Sequence, residues 1–222
     1  MSSKITLQQT DEFAVHYDEY VSQTHWYGPQ MLFGLMYEYL CPEDNLLDLG
    51  IGTGISAKPF KRAGLKIYGV DGSEEMIKIC QNKAITEDIR LADLADNFKS
   101  PYGVAIFEHV ISVGVFHLVG NLASVFSEVA RSIRKGGIFG FTFHEFNQEN
   151  PGSYQLSGQE GIYSHQNEDS GIIVYQHSSQ HIKDLLKLHN FKLQKESEFL
   201  AFRDEQSGRE YYFAAYVAQK TG

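Results

Sequence analysis

The chain has 222 residues, 42% hydrophobic and 13% aromatic, which is enough apolar surface for a large core within one domain, or one domain with an insertion. Its formal charge of −9 at pH 7 repels phosphate backbones, and no run of Lys and Arg forms a basic patch, so nucleic acid is not an expected partner. The start, MSSKITLQQTDEF, lacks an apolar signal segment and no window approaches about eighteen uninterrupted apolar residues, so the expectation is a cytoplasmic protein without a membrane role. Cys41 and Cys80 have neither the number nor the spacing of a disulfide framework or a CxxC site, and both are expected to be reduced and partly buried.

In chain order, residues 11–24 and 29–40 read as two helices around THWYGP, where Gly28 and Pro29 mark a turn and a helix start. LLDLG (46–50) reads as a first strand. The glycine loop behind it opens a helix near Ile55 that ends before Gly64. KIYGVD (66–71) is a second strand, and Ser73 with Glu74 and Glu75 starts the next helix, because a hydroxyl cap and acidic residues suit a helix N-terminus. Residues 88–92 and FEHVISV (107–113) supply a third and a fourth strand. From Asn121 to Lys135 the residues Leu122, Val125, Phe126, Val129 and Ile133 keep helical spacing, and Gly136-Gly137 is the expected stop.

GIFGFTF (137–143) is a fifth strand. Residues 144–170 are polar and dotted with glycine, longer than an ordinary connection, and are expected to form a lid or substrate wall. IIVYQH (172–177) is strand-like, and a helix follows from about Ser179 to His189, closed by Asn190. FKLQKESEFLAF and YYFAAYVAQK are closing strands of an antiparallel hairpin around the turn-prone DEQSGRE. The alternation of strand and helix predicts an α/β domain with a largely parallel sheet.

A strand that feeds a glycine loop and then a helix is a way to hold a nucleotide-like ligand at the carboxyl ends of strands. Gly50 and Gly52 can adopt conformations closed to other residues and leave no Cβ in a ligand's way. Gly52, Gly54 and Ala57 also satisfy the looser GxGxxA form of the dinucleotide fingerprint, which keeps a nicotinamide-dependent oxidoreductase open as an alternative. Three acids accompany the glycines: Asp48 inside the first strand, Asp71 at the end of the second, where it can accept both hydroxyls of a ribose, and Asp93 after the third.

With LLDLGIGTG, IYGVDGSEEMI, IRLADL, HVISVGVFHLV and RSIRKGGIFGFTF, the chain resembles the class I S-adenosylmethionine-dependent methyltransferases, well over residues 10–145 and more loosely beyond. GLKIYGVDGSEEMIKIC and EVARSIRKGGIFGFTF are especially similar to the Williams-Beuren-region methyltransferase-like group, a match that implies no substrate. The resemblance implies a Rossmann-like α/β fold: a seven-stranded, mostly parallel sheet with helices on both faces and an antiparallel C-terminal strand. It implies one methyltransferase domain over 1–222, with a helical lid at 10–40, a cofactor-binding core at 41–143, an insertion at 144–177, and a closing helix and strands at 178–222.

Carried over by position, Gly50, Gly52 and Gly54 would line the methionine part of S-adenosylmethionine, with Asp48 orienting its ammonium through water or backbone. Asp71 would hold the ribose, Gly72 and Met76 would pack near the adenine, and Asp93 with Leu94 would read its edge. Ser112 and Val113 would touch the methionine from the other side, and Tyr17, in a Tyr17-Asp18 pair, would close over the cofactor. The fourth strand lacks the tetrad of nucleobase amino-methylating enzymes, and no acidic metal set is present.

Methyl transfer from a sulfonium is an in-line displacement in which the protein chiefly supplies position, with a base only where the nucleophile must lose a proton. His117, His144 and Glu145 follow the fourth and fifth strands and are the candidate bases; capping and solvent-exit roles are the alternatives. His177 and His181 are spaced like a metal pair, but without an evident third ligand no metal is expected. Tyr154, Tyr163, Phe202, Tyr211 and Tyr212 are aromatic candidates for an acceptor pocket or for core. The expected function is methylation of a small organic acceptor; a module that binds the cofactor without catalysis is a further alternative.

Overall fold

The computed structural model describes residues 2–95, 97–168, 170–203 and 208–222. Its principal sheet has seven strands in the order β3-β2-β1-β4-β5-β10-β9. These are β1 (Asn45–Leu49), β2 (Lys66–Asp71), β3 (Asp88–Leu91), β4 (Phe107–Ser112), β5 (Ile133–Phe143), β9 (Phe191–Arg203) and β10 (Glu210–Lys220). The first five strands pair in parallel, and β10 runs antiparallel to both β5 and β9. This is the Rossmann-like sheet expected from the sequence.

Strand β1 lies centrally, between β2 and β4, and its side chains are nearly all buried, the pattern of a strand covered on both faces. Leu47 and Leu49 face one core together with Phe126, Phe139 and Phe141. Leu46 faces the opposite core, with Leu32, Ile67 and Ile111. The second face is covered by α2 (Gly28–Met36), α3 (Lys58–Arg62) and α4 (Glu74–Asn82), and the first by α5 (Ala123–Ser132) and α6 (Ser179–Leu188). Helix α4 starts as read: the Ser73 hydroxyl accepts from the Met76 N–H, while Met76, Ile77 and Cys80 are buried. Helix α6 is capped in the same way by Ser178, and Asn190 closes it with a φ of 59°.

Four expectations need correction. The first helix, α1 (Ser2–Thr24), starts near the chain's beginning rather than at residue 11. The helix after the glycine loop starts at Lys58 rather than near Ile55. Helix α5 ends at Ser132, before Gly136-Gly137, because Ile133 is buried and already pairs with Phe107 of β4. The two glycines instead serve an irregularity within β5: Gly136 has a φ of 81°, and a Cβ on Gly137 would stand 2.7 Å from the Glu108 carbonyl oxygen. Finally, residues 144–170 are not simply loop. They contain β6 (Gln155–Leu156) and β7 (Ile162–Gln166), which join β8 (Ile173–His177) in a separate antiparallel sheet. Their side chains are mostly half-buried or exposed, so their composition carried no apolar strand signal.

Cys80 is buried and Cys41 exposed, both as free thiols. The turn expected at DEQSGRE falls largely, over 204–207, outside the described residues. Among the described residues no helix is long and apolar enough to cross a membrane.

Candidate active site

A cavity of about 710 Å³ opens at the carboxyl ends of the parallel strands. Its floor comes from the segments that leave each strand: Gly50 and Gly52 after β1, Asp71 and Gly72 after β2, Asp93 and Leu94 after β3, Gly114 and Val115 after β4, and His144 after β5. Helix α1 forms one wall, with Phe13, Tyr17, Tyr20 and Val21 turned inward. The small sheet adds Val174, and the β9–β10 hairpin adds Phe202, Tyr211 and Phe213.

Helix α1 is fixed over this opening by polar contacts. The Asp18 carboxylate accepts from the Thr53 hydroxyl and pairs with Lys83, whose ammonium also donates to the Thr53 carbonyl at 2.8 Å. Two turns earlier, Asp11 accepts from the Ser73 hydroxyl, and nearby the Gln9 amide donates to the Ser170 carbonyl at 2.7 Å. Tyr17-Asp18 is therefore split in role: Asp18 fastens the helix, while the Tyr17 ring borders the cavity with its hydroxyl pKa pushed up to about 12 by burial and nearby carboxylates, Asp71 first among them.

The glycines divide as well. Gly52 has a φ of 55°, and a Cβ there would meet nothing within 4 Å, so its bare backbone faces open space. Gly54 has a φ of 88°, but a Cβ there would come within 2.3 Å of Ile85 and 3.0 Å of the Cys80 sulfur. It allows the loop to settle onto α4 and does not border the cavity.

Asp71 joins the glycine loop to the end of β2. One carboxylate oxygen accepts the Gly52 N–H at 2.7 Å and the other the Ser73 N–H at 2.9 Å, and the Gly72 N–H also bonds the carboxylate. Burial raises its pKa, against the pull of those backbone donors. Asp48 is wholly buried; one oxygen accepts from Ser56, and the other has no partner. Burial, together with the charge of Asp71, brings its pKa up to about 7. Asp93 is exposed at the rim, its carboxylate closing a turn by accepting the Ala95 N–H at 2.8 Å. Met76 and Leu94 supply the apolar flanks.

Among the other anticipated residues, Ser112 donates its hydroxyl to the Leu49 carbonyl, knitting β4 to β1, and neither it nor Val113 borders the cavity. Glu145 also lies outside it, beside Ser179 and Lys183. His117 and His144 do border the cavity, and both have pKa values pushed down to about 4, chiefly by burial. His117 Nδ1 is buried without a hydrogen-bond partner. The Gln176 amide nitrogen lies 2.8 Å from His144 Nε2 and 3.4 Å from its Nδ1. His177 donates from Nε2 to the Phe116 and Val119 carbonyls, each at 3.1 Å, and braces β8 against the loop after β4. Among the described residues no group of three or more His, Cys, Asp or Glu could hold a metal ion.

Tyr154, Phe202 and Tyr211 line the cavity, whereas Tyr163 stacks on Phe146, and Tyr212 is exposed with its hydroxyl on Glu210. Two contributors had no sequence signal that singled them out: Trp26, in the turn before α2, and Phe213, one apolar position among several in β10. Phe213 is the centre of an aromatic group: the His144 ring stacks on it at 5.3 Å, and Trp26 and His117 meet it edge-on at 5.4 and 5.8 Å.

A seven-stranded sheet of this order, with a glycine loop after the first strand and carboxylates at the ends of the next, is the fold of the S-adenosylmethionine-dependent methyltransferases. Residues 47–141 match the family model described as a methyltransferase domain. The demethylmenaquinone methyltransferase of Tropheryma whipplei is 28% identical over 99 residues, 42% of this chain and 39% of that protein. The ubiquinone biosynthesis O-methyltransferase of Bartonella quintana is 30% identical over 89 residues, 35% of this chain and 36% of that protein. The matches thus span less than half the length of these curated relatives.

Among solved structures, an S-adenosylmethionine-dependent methyltransferase from Methanosarcina mazei superposes with a TM-score of 0.70 at 16% identity, covering 84% of this chain and 97% of that one. The 1,6-didemethyltoxoflavin-N1-methyltransferase of Burkholderia thailandensis, solved with 1,6-didemethyltoxoflavin and S-adenosylhomocysteine, gives 0.69 at 15% identity, covering 98% and 88%. At such identities the likeness establishes the fold.

The residues present suit S-adenosylmethionine. Gly52 offers a backbone cradle that a side chain would fill, the buried Asp48 carboxyl of the same strand-loop segment has an orphan oxygen, and the Asp71 carboxylate borders the cavity at the end of β2.

Proposed function

We propose that this chain is an S-adenosylmethionine-dependent methyltransferase that acts on a small organic acceptor in the cytoplasm. The observation that carries this reading is the open backbone at Gly52 bonded to Asp71, which borders the cavity at the end of β2. The wording of residues 64–80 and 128–143 allies it with the Williams-Beuren-region methyltransferase-like group, and the quinone-pathway relatives support a small-molecule acceptor. In this reading Asp71 receives the ribose hydroxyls, Met76 and Leu94 flank the adenine, Asp93 meets its edge, and the Gly50–Gly52 turn lies along the methionine part. Bound there, the cofactor supplies an electrophilic methyl group with its leaving group attached.

The chain's own contribution is placement and exclusion of water. Helix α1 covers the cofactor end through Tyr17 and the Asp18 contacts. The cavity would hold an acceptor O–H or N–H in line with that methyl group, whose transfer to the acceptor lone pair would leave the carbon–sulfur pair on the cofactor's sulfur. The candidate base is His117, which borders the cavity, whereas His144 Nε2 is engaged by Gln176.

Thermal unfolding tests the cofactor assignment. S-adenosylhomocysteine at about a hundred times its Kd stabilises the folded state by about 2.7 kcal/mol, which for a chain of this size raises Tm by about 5–10 °C. Stabilisation by NADH and not by S-adenosylhomocysteine would move the protein to the oxidoreductases. His117→Gln is expected to lower turnover on the identified acceptor by about a hundredfold or more, with the S-adenosylhomocysteine shift intact. Unchanged turnover would remove His117 from proton transfer.

A further inference from the structure

The cavity has two chemically different ends. Its carboxylates, Asp71 and Asp93, lie at the ends of β2 and β3, and apart from them the lining contains no Lys, Arg, Asp or Glu among the described residues. The outer end is built largely of rings. His144 lies parallel to Phe213, with an interplanar angle of 11°, and Tyr154 stands perpendicular to His144 at 5.8 Å. Trp26 touches both Phe213 and Phe202, and Phe202 is stacked on Tyr211 at 4.5 Å. Val174 and Ile172 also line the cavity.

An anionic group brought into this end would lose its water with no Lys or Arg in the lining to pair with, a cost that burial makes large. Arg209, outside the lining, holds its guanidinium 5.1 Å over the Tyr211 ring. Its positive potential reaches His144 and Tyr154; it opposes a cationic guest and offsets only part of an anion's desolvation, since it makes no contact inside the cavity. The rings favour a guest whose own faces and edges can meet theirs, since aromatic pairs prefer offset or edge-to-face contact. We infer that the outer end of the cavity is an acceptor site for a flat, uncharged aromatic ring system whose hydroxyl or ring N–H receives the methyl group. This rests on the methyltransferase reading for its chemistry and on the lining alone for its shape and charge.

Isothermal calorimetry on the full chain saturated with S-adenosylhomocysteine tests it, using four probes of similar size: 2-naphthol, its saturated counterpart 2-decalol, 2-naphthol-6-sulfonate, and the cation of 2-(aminomethyl)naphthalene. The expected result is that 2-naphthol binds, with each of the other three at least about tenfold weaker. Phe213→Leu, which keeps apolar bulk but removes the ring, is expected to weaken 2-naphthol about tenfold while leaving the S-adenosylhomocysteine melting shift unchanged. Equal binding of decalol would overturn ring recognition, and equal or tighter binding of the sulfonate or the ammonium would overturn the uncharged acceptor. No binding of 2-naphthol beside a normal S-adenosylhomocysteine shift would overturn this inference and leave the methyltransferase reading standing. Selective 2-naphthol binding in a protein that ignores S-adenosylhomocysteine would support the site and sink that reading.

Discussion

Asp71→Ala is expected to abolish most of the thermal stabilisation given by S-adenosylhomocysteine. The proposed role has this carboxylate accept from the ribose, and a bond to a charged acceptor contributes about 1.5–3 kcal/mol. Loss of about 3 kcal/mol weakens binding by about a hundredfold, so that a ligand concentration raising the native Tm by about 5–10 °C would raise the variant's by about 1 °C. The variant also leaves the Gly52 and Ser73 N–H groups without their acceptor, so its unliganded Tm falls too. Asp71→Asn separates the two effects, because its amide oxygen can still accept from one backbone donor while the charged ribose acceptor is lost. A full ligand shift in both variants would show that Asp71 does not touch the cofactor.

Acid is expected to destabilise the protein through its buried imidazoles, His177 most directly. Burial, with a smaller contribution from His181, pushes the His177 pKa from 6.5 to about 4. The unfolded chain therefore takes up this proton first as pH falls. The stability associated with neutral His177 is complete above about pH 6.5 and is lost between there and about pH 4. At pH 5 the loss is about 2 kcal/mol, or about 4–8 °C in Tm. His117 and His144 act in the same direction, whereas Asp48, with its pKa raised to about 7, acts in the opposite one. The comparison of the native chain with His177→Gln cancels those contributions: the native chain should lose about 2 kcal/mol more than the variant between pH 7.5 and pH 5. A gap between the two proteins that stays constant with pH would show that His177 does not titrate with folding.

The local features were legible where a few neighbouring residues carry the whole physical reason. Ser73, Glu74 and Glu75 announce α4 because a helix start needs acceptors for its free N–H groups. The apolar run 46–49 with its following glycines identifies a buried strand and a bare turn. Asp48 within β1, Asp71 at the end of β2 and Asp93 just after β3 follow from the strand-loop-helix order. The Gly136-Gly137 stop failed because Ile133 had a stronger use as a partner of Phe107 than as the last turn of a helix. The expected lid at 144–170 shows no strand signal in its sequence because β6 and β7 are short, polar and stabilised by each other and by β8 rather than by a buried face.

Chain order and residue type thus determined the sheet, the glycine turn and the acids beside it, all of which depend on interactions within a few residues or on strand succession. Only the tertiary structure decided that Gly52 faces space while Gly54 rests on Ile85 and Cys80. It alone showed that Asp18 fastens α1 through Lys83 rather than lining the cavity. It also brought Trp26, His117, His144 and Phe213 together from four separate parts of the chain. The physical reason is that a contact between residues far apart in sequence leaves no periodicity in either segment, and whether an aromatic ring fills a core or walls a cavity depends on what the other segments place opposite it.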